Sequence, residues 1–160
     1  MVPRRARRVK GVQLPLRRRE CFAMEDAMLT RRFDIQTSRR DELVDITERV
    51  AGVVAEARLA DGIATVYVPH TTAGVTINEN ADCDVAHDVL EALDVAVPWR
   101  QDFYRHNEGN SAAHVKSSLV GGSATIPILE GKLALGVWQA VYFAEFDGPR
   151  VRSVIVTVNG

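Results

Sequence analysis

Three observations predict an α+β fold of largely antiparallel sheet, arranged as a sandwich with a few packed helices. First, the elements read from hydrophobic periodicity run β-α-β-β-α-α-β-β-β, without the regular alternation of a doubly wound parallel sheet. Second, roughly the last forty residues carry apolar, β-branched runs separated by the turn signals Glu130-Gly131 and Gly148-Pro149. Third, 160 residues with 46% hydrophobic and 26% charged side chains are an ordinary globular composition. A chain of that length holds one domain with a normal core.

The elements follow in order. Arg31 to Thr37 alternates, with Phe33 and Ile35 on one face, as a first strand does. Glu42 to Ile46 extends it or pairs nearby. Thr47 suits a helix N-cap, and Val50, Val53, Val54 and Ala57 follow at helical spacing. Asp61-Gly62 turns the chain into the β-branched run Ile63 to Val68, which Pro69 ends. Thr72 to Asn78 reads as a short strand. Asp82 and Asp84 open a helix striped by Val85, Val89, Leu90 and Leu93 and stopped by Pro98. Residues 99–110 are polar and irregular, which inside a compact domain marks a functional loop. A helix from Ser111 to about Leu119 ends at Gly121-Gly122. Ser123 to Ile128 is a strand. Leu133 to Asp147 reads as one long strand with a break at Gly136, apolar on both faces and therefore central or covered on both sides. Val151 to Val158 closes the sheet.

Charge divides the chain. Residues 1–23 hold eight basic residues and one acid, Glu20. Totals of 20 basic and 21 acidic residues then leave 12 and 20 in 24–160, a net of −8. An acidic body argues against nucleic acid as the main partner, because neutralising phosphates needs clustered Lys and Arg. The basic segment lacks the apolar run of a secretory signal. We read 1–27 as a disordered extension or over-extended start, and 28–160 as the single domain. No stretch of 18 apolar residues predicts a membrane span. Two cysteines, Cys21 and Cys83, without a CxxC pair, suit a reducing, cytoplasmic setting.

Four histidines invite chemistry. His70 ends a buried strand, His106 lies in the irregular loop, and His114 lies in the first turn of the following helix. A strand end, a loop and a helix start can converge, and three imidazoles leave a metal one open position. Against this, the His-x7-His spacing is no recognised ligand pattern, and three unrelated hydrogen-bonded histidines are the alternative. His87, off its helix's apolar stripe, reads as a solvated side chain. Glu79, Asp82, Asp84 and Asp88 serve either a helix dipole or Mg²⁺. Glu108, between two histidines, suits acid–base work. Asn110 to His114 would present helix-start N–H groups to a phosphate, with Lys116, Thr71, Thr72 and Ser117 nearby. Gly-rich nucleotide loops and Ser or Cys nucleophile signatures are absent, so no nucleotide cofactor is expected.

Several ordered blocks resemble the YjbQ family, whose members are described as secondary thiamine-phosphate synthases. They are His70-Thr71-Thr72-Ala73-Gly74, Asn78-Glu79-Asn80-Ala81-Asp82, and His106-Asn107-Glu108-Gly109-Asn110 with His114. Ser123-x-x-Ile126-x-Ile128-x-x-Gly131 then runs into Gly136-x-Trp138-Gln139. The resemblance covers about residues 30–160. Val137 and Cys83 stand where the family pattern usually has Thr and often has Pro.

The resemblance implies a sheet-rich α+β fold, commonly a homotrimer, and joining of a thiazole phosphate to hydroxymethylpyrimidine pyrophosphate with release of pyrophosphate. It implies a pocket with His70, His106 and His114 as ligands of a divalent metal, zinc or magnesium. Glu108 and His106 would do the acid–base chemistry. Thr71, Thr72, Asn78, Asn110, Lys116 and Gln139 would contact a phosphorylated small molecule. The competing reading is a non-catalytic phosphate-binding or assembly module.

Overall fold

The computed structural model describes residues 28–160. The expected basic extension, 1–27, lies outside the described residues. The strands are β1 (Met28–Gln36), β2 (Glu42–Asp45), β3 (Gly62–Tyr67), β4 (Ala73–Glu79), β5 (Ser123–Leu129), β6 (Lys132–Leu133), β7 (Gln139–Glu145) and β8 (Val151–Asn159). The helices are α1 (Thr47–Ala57), α2 (Cys83–Ala96) and α3 (Ser111–Val120). The strands form a five-stranded sheet, β1-β8-β3-β5-β6, and a three-stranded sheet, β2-β7-β4. Each recorded pairing is antiparallel. The α+β fold expected from the element order is the fold observed.

The core lies between the sheets. Alternate residues Val154, Val156 and Val158 of β8 point into it beside Ala64 and Val66 of β3 and Ile126 and Ile128 of β5. Val141 and Phe143 of β7 meet them from the smaller sheet, and Val50, Val53 and Val54 of α1 complete the cluster. The other face of β7 packs Ala144, with Phe146 just beyond it, against Ala113 of α3 and Leu90 and Leu93 of α2. That is why the 139–146 run is apolar on both faces: β7 is central in its sheet and covered on both sides.

Two expectations need correcting. The stretch from Leu133 to Asp147 is not one strand. β6 ends at Leu133, and a tight turn at 136–139 precedes β7. The Gln139 side chain accepts the Gly136 N–H at 2.8 Å, and the Gln139 N–H donates to the Gly136 carbonyl at 2.9 Å. Thr47 is also not the N-cap of α1 but its first residue, preceded by Ile46. Its hydroxyl donates to Asp45 Oδ1 at 2.6 Å and accepts the Val141 N–H at 2.9 Å, stitching the helix start to β7. Asp82 does cap α2, accepting the Asp84 N–H at 2.9 Å. One glycine is set by close approach. A Cβ on Gly74 would lie 2.5 Å from the Gly121 carbonyl oxygen, where β4 passes the end of α3.

Candidate functional site

The irregular segment 99–110 delivers two of the expected residues together. Gly109, with φ of +72°, closes a turn in which its N–H donates to the His106 carbonyl at 3.1 Å. A left-handed conformation there favours glycine. The turn brings His106 Nε2 to 3.8 Å from Glu108 Oε2. α3 begins at once, and its first turn carries His114 against His106, with ring centroids 5.1 Å apart and planes near perpendicular. Ser117 of α3 donates its hydroxyl to the Thr71 carbonyl at 2.6 Å and so ties the helix to the 70–73 segment.

These residues open onto a cleft of about 340 Å³. Thr71, Thr72, His106, Glu108, Asn110 and His114 line it, and so do Asp147, Arg150 and Arg152. Beneath it Glu145 is wholly buried. Its carboxylate accepts from Arg152 Nε at 2.7 Å, Arg152 Nη2 at 2.5 Å, the Thr37 hydroxyl at 3.1 Å and the N–H groups of Phe146 and Asp147. Arg152 Nη2 also donates to the Thr72 hydroxyl at 2.9 Å. Arg150, half exposed, donates to Asp147 Oδ2 at 2.8 Å. Asn110 donates its amide to Asp147 at 3.0 Å and to Glu108 at 3.4 Å. A larger adjoining cavity of about 530 Å³ shares His106 and Glu108 and is walled by Trp99, Arg100, Gln101 and Tyr104.

His70 stands next door, in a recess that shares Thr71 and His114 with the cleft. Its Nε2 accepts the Ser153 N–H at 2.8 Å. An accepting Nε2 places the ring proton of the neutral imidazole on Nδ1, which leaves neither nitrogen free for a metal. Burial, then the nearby Arg152 charge, holds its pKa below the ordinary histidine value. His70 as it stands therefore does not fit as a metal ligand. Among the described residues, the one cluster of three such ligand atoms within 4.8 Å is Asp82, Cys83 and Asp84, all exposed.

Three expected site residues lie elsewhere. Lys116 is buried and ion-paired with Asp41 at 3.3 Å and with Asp94. Asn78 and Gln139 sit at the far end of the β4–β7 ladder from Ala73, where Gln139 holds the 136–139 turn. Arg150, Arg152, Asp147 and Glu145 escaped the sequence reading. The available signal was an acid and an arginine inside otherwise apolar strands, Glu145 and Arg152, which must pair if buried. Among the described residues no helix is long and apolar enough to cross a membrane.

Residues 31–160 match the family described as UPF0047 protein YjbQ-like. A UPF0047 protein of Methanocaldococcus jannaschii is 54% identical over 129 residues, 81% of this chain and 93% of that protein. The UPF0047 protein YugU of Bacillus subtilis is 50% identical, over 79% of this chain and 96% of its own length. A Clostridium acetobutylicum crystal structure of the yjbq/upf0047 family is 53% identical, with a TM-score of 0.78 over 79% of this chain and 98% of that one. A Sulfolobus solfataricus structure is 30% identical, with a TM-score of 0.81 over 84% of this chain and 99% of that one. It is described as a YbjQ-like protein of unknown function. These findings overturn one expectation: the relatives described above are named as UPF0047 or YbjQ-like proteins, one of them of unknown function, and their names do not indicate thiamine-phosphate synthase activity. The match along residues 31–160, the high identity of the relatives and the shared fold make this chain a member of the YjbQ-like UPF0047 family.

Proposed function

We propose that the cleft binds a phosphorylated small molecule and that His106, with Glu108 beside it, moves a proton on that ligand. One observation supports this above others: two guanidiniums, two imidazoles and two threonine side chains line a single cleft. Arg152 is fixed by Glu145 and is not free to follow a ligand, whereas Arg150 is half exposed. Arg150 and the histidines are thus the groups that meet an anion. The adjoining Trp99–Tyr104 cavity gives room for the organic part.

Calorimetric titration with inorganic phosphate and simple phosphate monoesters tests this. Charge-assisted hydrogen bonds of about 1.5–3 kcal/mol imply a loss on the order of tenfold or more in Arg150→Ala and in His114→Ala. No binding by the unaltered protein, or binding by both variants as tight as by the unaltered protein, defeats the reading. The proton-transfer part predicts that His106→Asn still binds but no longer converts any phosphorylated compound found to turn over.

A second reading is favoured by the paired rings of His106 and His114 with Glu108 alongside: side-chain rotation that brings their ligand atoms together would let these three hold a divalent metal, which would polarise a phosphate oxygen. Metal content measured on protein prepared without chelator should then fall in a His106→Ala, His114→Ala double variant. Metal absent from both proteins removes this reading. We extend the proposal to a homotrimer, supported by apolar surface at Val137, Trp138 and Leu119, which are 99%, 66% and 65% exposed. Sedimentation equilibrium giving any mass other than that of three chains would discard it.

A further inference from the structure

Asn110 is 5% exposed and lies in the wall of the cleft. Its Nδ2 donates to Asp147 Oδ2 and to Glu108 Oε2. Its Oδ1 is buried, and no donor among the described residues reaches it. An amide oxygen in that position is costly, and the usual remedy is to turn the amide over. Here the two carboxylates forbid it, because turning would set Oδ1 against their oxygens. Asp147 is itself held, by its N–H to Glu145 at 2.9 Å and by Arg150 at its carboxylate. The Asn110 backbone is fixed as well, since its carbonyl accepts the Ala113 N–H at 2.9 Å at the start of α3. The lone acceptor is therefore enforced by its surroundings. A buried polar group of this kind calls for an explanation.

We propose that Asn110 Oδ1 is a specificity-determining acceptor: the ligand is a phosphate monoester whose organic part carries a hydroxyl or amine that donates to this oxygen. The inference rests on the phosphorylated-ligand reading above and adds the second polar group that the ligand must present. Arg150, His106, His114 and Thr71 offer donors for the phosphate, while Asn110, with Asp147 and Glu108 beside it, offers acceptors. Glu108 is exposed, and its bond to the Asn110 amide is long, at 3.4 Å. It is the side chain that moves aside as the donor approaches. The neighbouring carboxylates make an ammonium the stronger partner and a hydroxyl the weaker one.

Three nearly isosteric probes separate the cases: propyl phosphate, 2-hydroxyethyl phosphate and 2-aminoethyl phosphate, titrated calorimetrically into the full chain. At least one donor-bearing ester should bind about tenfold or more tightly than propyl phosphate, the ratio expected when a lone acceptor gains its donor. In Asn110→Leu, of similar volume but without the acceptor, that ratio should fall to about one, with circular dichroism checking the fold. Equal binding of all three esters by the unaltered protein overturns the inference while leaving the phosphorylated-ligand reading intact. A ratio that persists in folded Asn110→Leu also overturns it. If none of the three binds, the phosphorylated-ligand reading fails and the inference falls with it. The comparison of probes on the unaltered protein decides the matter even if the variant does not fold.

Discussion

The ring of His70 accepts the peptide N–H of Ser153 through Nε2 at 2.8 Å, locking the end of the 62–70 segment to β8. Burial, then the charge of Arg152, lowers the histidine pKa from its ordinary 6.5. The folded protein therefore holds fewer protons here than the unfolded chain over the interval between the two values. Stability linked to this ring is complete above about pH 6.5 and is lost as pH falls through the folded value. His70→Gln retains an acceptor for Ser153 but does not titrate. Urea denaturation at a series of pH values should show a flatter acid decline in the variant. Identical slopes would mean that protonation of His70 has no part in it.

Glu145 and Arg152 form the buried pair beneath the cleft, and the Arg152 guanidinium carries on to the Thr72 hydroxyl. Removing one member leaves an uncompensated buried charge, at a cost of about 3–5 kcal/mol. Glu145→Ala should lower the unfolding free energy by that amount, and Glu145→Ala with Arg152→Ala should recover part of it. A double variant as unstable as the sum of the singles would show the two residues acting independently.

Much of this architecture was legible beforehand, for identifiable reasons. The alternation in β1 and β8, the turn residues at 130–131 and 148–149, and the caps around α2 are local signals, and each produced the element expected. The break at 136–139 was less visible, because Gly136 fixed the place but the closing bond comes from the Gln139 side chain. In the site, His106 and Glu108 meet through a four-residue turn, and His114 follows eight residues after His106, so short-range reasoning reached them. Arg150, Arg152 and Asp147 reach the cleft through β7 and the turn into β8, a placement set by sheet register. The burial of Lys116 depends on Asp41 and Asp94, 75 and 22 residues away, and no local pattern announces such a partner.

Lys116 offers the sharpest contrast between position in sequence and position in space. It sits on the helix that carries His114, yet its ammonium is buried and bonded to Asp41 and Asp94, with the Phe146 ring 5.9 Å away. Burial alone would raise the pKa of Asp94, but the bonds from Lys116 and Arg40 outweigh it and hold that carboxyl below its usual value. The ion pair thus clamps α3 to α2 and to the segment before β2. Lys116→Ala removes both the charge and the filling stem, and should cost roughly 3 kcal/mol or more in denaturant unfolding. Lys116→Met keeps most of the volume, and Arg40 still neutralises both aspartates, so its cost should be about half as large. Phosphate affinity should stay within about twofold of the unaltered protein in Lys116→Met, since the ammonium does not line the cleft. A tenfold or greater loss of phosphate binding, with the fold intact by circular dichroism, would instead make Lys116 a ligand contact and require the helix to present it to the cleft when a ligand is bound.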